Sequence, residues 1–278
     1  NPFSEIPDVK FYYKSISHTN VLSKLAQGLL EGKGIIQITG EVGTGKTLLS
    51  RFLVKYCQGS DVNFATILRS NLDGEKLVSL LVDDFALSKN ALIKNDNTDS
   101  YINLEKYFLD STKKSIRNII IIDEAQNLTL KAFETIRLIS NLEYNNKKLV
   151  QIILMGQPEL DIKLSHYDYR QFNQRISLRL AISPLELQET ENYIKYRLDI
   201  AQFSNQLGFS KKALIYIHKK SKGIPRIINH ICNTILEYAE ESNQRYIDID
   251  TVKNVISNNK LIYNCNEKNK NFTLWPFN

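Results

Sequence analysis

The 278-residue sequence predicts an α/β fold in which helices flank a central parallel sheet and a small all-helical lid follows. Three observations support this prediction. Short runs rich in β-branched residues alternate with helical patterns, as expected for parallel strands buried on both faces. A glycine-rich loop joins the first of these runs to a helix. From residue 184 onward only helical patterns follow, which indicates a separate helical part.

The glycine-rich loop at residues 40–47 reads GEVGTGKT and fits the phosphate-binding pattern G-x-x-x-x-G-K-[ST]. The β-branched run at 35–39 predicts a buried strand before the loop, and the apolar spacing at 48–56 predicts an amphipathic helix after it. Because strand, loop and helix agree, the context argues against a glycine-rich turn that binds nothing.

The chemistry of this loop gives its residues distinct roles. Glycines allow backbone geometry that a β-carbon would block, so successive N–H groups can turn toward phosphate oxygens. Lys46 would contact the β- and γ-phosphates of a nucleotide, and the Thr47 hydroxyl would coordinate Mg²⁺. The residues predicted to bind the nucleotide are Gly40, Glu41, Val42, Gly43, Thr44, Gly45, Lys46, Thr47 and Leu48, together with Asp123.

Composition narrows the class of protein. A hydrophobic content of 42% and a charged content of 24% are typical of a soluble protein. No apolar run approaches the ~18 residues that a membrane-spanning helix needs. The net charge of +6 is compatible with nucleic acid or anionic lipid, although no block of five basic residues occurs. The sequence begins at Asn1 without methionine, so a longer protein with a membrane segment or a further domain stays open.

The cysteines and histidines are scattered and show no metal-ligand spacing. Isolated thiols suit a reducing cytoplasm, and the histidines are expected at the surface or in packing contacts rather than around zinc. These residues are Cys57, Cys232, Cys265, His18, His166, His218 and His230.

The chain opens with an irregular arm at residues 1–17, whose aromatic cluster at 11–13 predicts packing on the body rather than a disordered leader. A helix is predicted at 18–30, a strand at 62–68, and helices at 72–87 and 101–116. The polar residues 88–100 between these two helices predict a surface excursion.

Four isoleucines at 119–122 lead into Asp123 and Glu124, a Walker B pattern. A buried parallel strand would deliver Asp123 to the sheet edge beside the phosphate loop, where it can hold Mg²⁺. Glu124 is then placed to polarise the attacking water. The alternative is a buried strand that merely ends in acidic residues, and the pairing with a phosphate loop argues against it.

A helix at 130–139 and a buried strand at 149–155 follow, and Gln157 comes directly after this strand. A strand between the first and the Walker B strands would let Gln157 sense the γ-phosphate. The polar stretch 165–179 carries Arg170, Arg175 and Arg179. We expect one of them to reach the nucleotide of a neighbouring subunit, with a solvated basic face as the alternative for the others.

The lid is predicted to contain helices at 190–200, 210–220 and 225–240, with Ser210 as the cap of the second and Asp250 as the cap of a last short one. Arg226, in the sequence GIPR, could point back at the phosphates. The predicted segments are an arm at 1–17, the α/β domain at 18–183, the lid at 184–257 and an asparagine-rich linker and tail at 258–278. The aromatic end of the tail is either a docking element or packed on the lid.

The motifs GEVGTGKT, IIIIDEAQNL, IRLISNLE, LVQIILMGQPEL, QRISLR and GIPRIINHIC, with the opening NPFSEIPD, resemble the AAA+ ATPases of the ExeA/GspA type. Within that group the compact subgroup that serves the mannose-sensitive haemagglutinin pilus is the most similar. The resemblance implies an AAA+ ATPase domain with a lid, ATP and Mg²⁺ as ligands, and nucleotide-dependent homo-oligomers, with a ring as one form. It also implies pilus or secretion-system partners and a cytoplasmic protein at the inner membrane, attached peripherally or by a tether.

By motif, the resemblance places Lys46 and Thr47 on phosphate and Mg²⁺, makes Asp123 and Glu124 the Walker B pair, and puts Gln157 at sensor 1. It also makes Arg226 sensor 2 and prefers Arg175 as the arginine finger. The predicted catalytic set is therefore Glu124, Lys46, Arg175, Gln157 and Arg226.

Two other functions stay open at this point. Transposition ATPases of the TniB/TnsC kind share such a core and coat DNA, and the net charge of +6 is compatible with that role. The GQPEL and GIPR motifs favour secretion instead. The third reading is a nucleotide-bound scaffold with negligible turnover.

Overall fold

The computed structural model describes residues 1–4, 8–57, 59–68, 72–88, 100–203 and 207–258. The chain divides into two compact units, one comprising Ile16–Ser183 and the other Asn1–Ser15 with Pro184–Asn278. The predicted surface excursion, apart from its two end residues, and the aromatic tail lie outside the described residues. No helix within the described ranges combines the length and the apolar character needed to cross a membrane.

The first unit alternates strands and helices along the chain. Its strands are β1 (Ile35–Gly40), β2 (Val62–Ile67), β3 (Arg117–Ile122), β4 (Glu143–Tyr144), β5 (Lys147–Lys148), β6 (Gln151–Gly156) and β7 (Ile176–Ile182). Its helices are α1 (Ile16–Leu30), α2 (Lys46–Tyr56), α3 (Gly74–Ser88), α4 (Ser100–Lys113), α5 (Leu130–Ser140), α6 (Glu159–Ser165) and α7 (Arg170–Asn173).

Five strands form one parallel sheet in the order β2-β3-β6-β1-β7. The phosphate loop follows β1 and the Walker B residues follow β3, so β6 lies between the two and delivers Gln157 to the same edge. This order confirms the predicted central parallel sheet. It also explains how groups 77 residues apart in sequence (Lys46 and Asp123) come together.

The isoleucine-rich strands form a sheet because both of its faces are covered. Side chains alternate along a strand, and Ile120, Ile122 and Ile152 pack into one core with residues of α3 to α7. Their neighbours Ile121 and Ile153 are equally buried on the other face. Each such side chain contributes about 1.5–3 kcal/mol by leaving water, which is why four consecutive isoleucines favour this strand.

The strand β7 differs from the prediction, in which residues 165–179 form one polar stretch carrying arginines. β7 lies at the edge of the sheet and pairs with β1 alone, so its first half is only partly buried. An edge strand tolerates polar residues on a solvent-exposed face, and the side chains of Ser177 and Arg179 lie on the exposed face of β7. The alternation of apolar and polar residues in the sequence ISLRLAI was the signal that could have predicted this strand.

The second unit contains α8 (Leu187–Ile200), α9 (Lys211–Ser221), α10 (Pro225–Glu241) and α11 (Ile249–Asn258), with the two-residue strands β8 (Gly208–Phe209) and β9 (Tyr246–Ile247). The strands β8 and β9 form one short pair between helices, and the regular structure of this unit's described residues is otherwise helical, as predicted for the lid. Ser210 caps α9 by accepting from the Ala213 N–H, as predicted. The cap of α11 is Asp248 rather than Asp250, since Asp248 accepts from the Thr251 N–H at 2.8 Å.

The N-terminal arm packs on these helices, which supports the predicted packing over a disordered leader. Phe3 is 1% exposed within the helical core. The buried Arg197 guanidinium donates to the carbonyl oxygens of Pro2 and Ser4 and lies 4.8 Å from the centre of the Phe11 ring. These bonds satisfy a charge that would otherwise be costly to bury.

Gly223 fixes the turn before α10. Its φ is +73°, and a β-carbon there would lie 2.0 Å from the Leu185 carbonyl oxygen. We expect Gly223→Ala to destabilise the protein by roughly 2–5 kcal/mol, the sum of left-handed strain and overpacking. Equilibrium urea unfolding measures this change.

Gly208→Ala is the control in the same unit, because its β-carbon would meet only the edge of the Tyr246 ring at 3.3 Å and its φ is not positive. A Gly223→Ala protein that unfolds at the same urea concentration as Gly208→Ala would contradict the assigned contact.

Candidate nucleotide-binding site

The phosphate loop has a backbone that only glycine adopts easily. Gly43 and Gly45 have φ values of +84° and +101°, and Gly45 is the N-cap of α2. A β-carbon on Gly45 would lie 3.1 Å from Nε2 of the buried His18, and one on Gly40 would lie 2.9 Å from the Ile182 carbonyl oxygen. The loop thus leads into the amino end of α2, where N–H groups and the helix dipole favour binding of an anion.

Lys46 is 5% exposed, and its ammonium donates to the carbonyl oxygens of Gly40 at 2.6 Å and Glu41 at 3.0 Å. The Thr44 hydroxyl donates to the same Glu41 carbonyl at 2.8 Å. These bonds hold the positive charge over the loop. A buried cation beside helix N–H groups fits the negative charge of phosphates.

Thr47 and Asp123 meet although they lie on different elements. The Thr47 hydroxyl donates to Oδ2 of Asp123 at 2.5 Å, and Asp123 is 3% exposed. Its other oxygen accepts from the Glu124 N–H at 2.9 Å. A hydroxyl and a carboxylate are the hard oxygen ligands that Mg²⁺ prefers, so this pair fits the predicted metal.

Glu124 follows β3 in a left-handed conformation, with φ at 53° and ψ at 39°. Its Oε2 accepts from Nε2 of Gln126 at 2.6 Å and from Nε2 of Gln157 at 2.9 Å. The structure therefore brings Gln157 to Glu124, at the edge of the sheet that carries the phosphate loop. The remaining loop positions are less enclosed: Glu41 and Val42 are exposed, and Leu48 is half-buried.

The three candidate finger arginines differ in their surroundings. Arg170 lies against the Tyr167 ring, 3.7 Å from its centre. Arg179 donates to Gln37 and Asn173, within its own chain. Arg175 is exposed and directly precedes β7.

Arg175 lies at the amino-terminal ends of the strands, whereas the phosphate loop of its own chain lies at their carboxyl-terminal ends. Ile176 pairs in register with Ile35, at the start of β1, whereas the loop follows Gly40 at the other end. A six-residue strand is about 20 Å long, so these two ends of the sheet lie about 20 Å apart. Arg175 therefore lies too far to contact phosphates bound at its own loop.

Arg226 belongs to the second unit, where it is exposed in the first turn of α10 after Pro225. No site role is predicted from the sequence for His18, Gln126 or Lys163. His18 lies beside the phosphate loop, and its only sequence signal is the Ser17-His18 pair at the end of the opening that resembles the family. Gln126 carried a signal, because it stands two residues after Glu124 in the motif DEAQ.

The fold and the loop define the class: the chain has the AAA+ fold of P-loop nucleoside triphosphatases, which implies nucleotide binding. A family model described as an AAA domain matches residues 29–164. The chain is similar to General secretion pathway protein A of Aeromonas hydrophila, with 38% identity over 237 residues. That alignment covers 84% of this chain and 42% of the relative, so the chain spans less than half of its length.

Solved structures share the same fold. They include Cdc6p from Pyrobaculum aerophilum (TM-score 0.68, 15% identity, covering 92% of this chain and 70% of that one). The Aeropyrum pernix ORC2 protein has a TM-score of 0.65 at 17% identity, covering 92% of this chain and 71% of that one. At these identities the likeness shows the fold alone. The domain match and the alignment together show an AAA domain in a chain that is similar to General secretion pathway protein A.

Proposed function

We propose that this chain binds and hydrolyses ATP with Mg²⁺ to drive or regulate assembly of a type II secretion machine or a type IV pilus. The proposal is carried by the hydrogen bond from the half-buried Thr47 hydroxyl to the buried Asp123 carboxylate at 2.5 Å, with Lys46 and Glu124 next to these two residues in the chain. Hydroxyl, carboxylate, ammonium and a further carboxylate are the groups that phosphoryl transfer to water requires.

Each of these residues has a role in the proposed reaction. The loop N–H groups and Lys46 hold the phosphates, and Thr47 and Asp123 hold the metal. When bound, Mg·ATP supplies the phosphoanhydride bond and the divalent charge that offsets its oxygens. Glu124 orients a water and accepts its proton at a carboxylate oxygen. Gln157 senses the γ-phosphate through its bond to Glu124, Arg175 serves the site of a neighbouring copy, and Arg226 is sensor 2.

The proposed partners follow from the relative and from the motifs. The similarity to General secretion pathway protein A supports a role in secretion. The pilus role, with the MshM protein of the mannose-sensitive haemagglutinin pilus as the specific counterpart, is proposed from the motifs alone. We place the chain in the cytoplasm at the inner membrane, as a homo-oligomer that forms with nucleotide. The four predicted segments, from the arm at 1–17 to the tail at 258–278, belong to the same proposal.

A DNA-binding ATPase of the TniB/TnsC kind is the second candidate. One observation favours it: residues 200–236 hold six lysines and arginines and no aspartate or glutamate. Such a basic stretch suits phosphate contacts. An ATP-dependent shift of duplex DNA that persists at physiological salt, and that weakens steeply as salt is raised, would favour this candidate over secretion.

The shared-site proposal predicts that hydrolysis per subunit rises steeply with protein concentration, because a lone chain lacks the neighbour's Arg175. Phosphate release is measured at saturating Mg·ATP over a range of chain concentrations, with oligomer size followed by light scattering. A rate per subunit that stays flat while oligomers form would remove the shared site.

A further inference from the structure

The Gln126 side chain links two parts of the candidate site. Its Nε2 donates to Oε2 of Glu124 at 2.6 Å, and its Oε1 accepts from the Gln157 backbone N–H at 3.2 Å. Because one end of the amide donates and the other accepts, these two bonds fix its orientation. Gln126 therefore joins the proposed base to the backbone at the end of β6.

The turn that carries Gln126 is held separately by Lys163 of α6. The Lys163 ammonium donates to the carbonyl oxygens of Gln126 at 2.9 Å and Leu128 at 2.6 Å. It also lies 5.7 Å from the centres of the Phe133 and Tyr169 rings. The backbone of the turn thus has its own anchor, and the Gln126 side chain is left to act on Glu124.

The Glu124 carboxylate accepts both of its side-chain hydrogen bonds on one oxygen. Gln126 and Gln157 both donate to Oε2, while Oε1 accepts no hydrogen bond from the residues that the structure describes. Two donors on Oε2 restrict rotation about the terminal torsion, which is otherwise broad for glutamate. Oε1 keeps its lone pairs for a proton.

We propose that Gln126 is a positioning residue that orients the Glu124 carboxylate for proton transfer and couples it to the end of β6. This inference rests on the proposed ATP hydrolysis. The Gln126 side chain acts only through Glu124. Its loss therefore lowers kcat without weakening the affinity for the nucleotide. A side chain that merely filled space would instead alter folding and nucleotide affinity together.

Gln126→Met tests the proposal, because methionine keeps the length of the side chain and removes both hydrogen bonds. We expect kcat to fall about 10- to 100-fold, a part of the ~10²–10⁴-fold that a positioned base supplies. The Kd for Mg·ATP should stay within about twofold. Gln126→Asn keeps the amide but is too short to make both hydrogen bonds, so its kcat should fall by a similar factor. This variant replaces Gln126→Met in the test if the methionine variant does not fold.

Gln27→Ala is the matched control. It removes a glutamine–glutamate hydrogen bond of similar length, Gln27 Nε2 to Glu31 at 2.7 Å, on the exposed side of α1. Its kcat and its Kd should equal those of the wild type.

The decisive comparison repeats Gln126→Met in a Glu124→Gln background. With the base already removed, the second change should leave the residual rate unaltered, because the two residues act as a unit. An equal fold-loss in both backgrounds, or a wild-type rate in Gln126→Met, would overturn the positioning role. A wild-type chain without turnover would instead refute the proposed hydrolysis, so the two failures are distinguishable.

Discussion

Arg175→Ala is expected to lower the rate of ATP hydrolysis by ~10³–10⁵-fold, the effect of removing an arginine finger. The expected loss follows from the position of Arg175, exposed before β7 and at the sheet edge opposite its own phosphate loop. Nucleotide affinity should change little, because Lys46 and the loop remain. Arg170→Ala is the control, since that side chain lies on the Tyr167 ring of its own chain.

Mixing two inactive variants distinguishes a finger from a structural arginine. Arg175→Ala chains retain Glu124, and Glu124→Gln chains retain Arg175. If Arg175 acts on a neighbouring site, mixed oligomers contain complete sites, and phosphate release should recover well above that of either variant alone. Arg175→Ala chains that hydrolyse ATP at the wild-type rate, or mixtures that stay inactive, would contradict the assignment.

Glu124→Gln is expected to lower the rate of ATP hydrolysis by ~10²–10⁴-fold, while ATP binding is retained. Glutamine has nearly the same shape but cannot accept a proton. Lys46, Thr47 and Asp123 keep their contacts, so the phosphates and the metal should still be held. Binding of a fluorescent ATP analogue and release of phosphate measure the two properties on one sample.

Glu105→Gln provides the control for this variant. Glu105 is an exposed carboxylate of α4. It should hydrolyse ATP like the wild type. Normal phosphate release by Glu124→Gln would show that another group activates the water.

The sequence predicted the parts of the fold that rest on strong local patterns. The isoleucine run before Asp123 and the glycines of the phosphate loop are such patterns, because burial on both faces and positive φ restrict the residue types. The strand β7 escaped prediction because an edge strand needs only half of its side chains buried. The two-residue strands β8 and β9 are too short to carry any periodicity.

The site was predictable where residue type and spacing are dictated by phosphate and metal chemistry, as for Lys46 and Asp123. The contacts of Gln126 and of His18 with the site depend on how separate elements pack, which one sequence does not specify. The same limit applies to the arm, whose Phe3 lies buried among helices that begin more than 180 residues later. Only the fold brings these residues together.

Calorimetric titration of the purified chain with Mg·ATP tests the central claim most directly, namely that the loop after β1 and the acidic end of β3 hold a magnesium nucleotide. Saturable binding is expected in the wild type and in Lys55→Ala, an exposed lysine on the same helix. Lys46→Ala should abolish it. Absence of binding in the wild type, or equal binding in Lys46→Ala, would contradict the account.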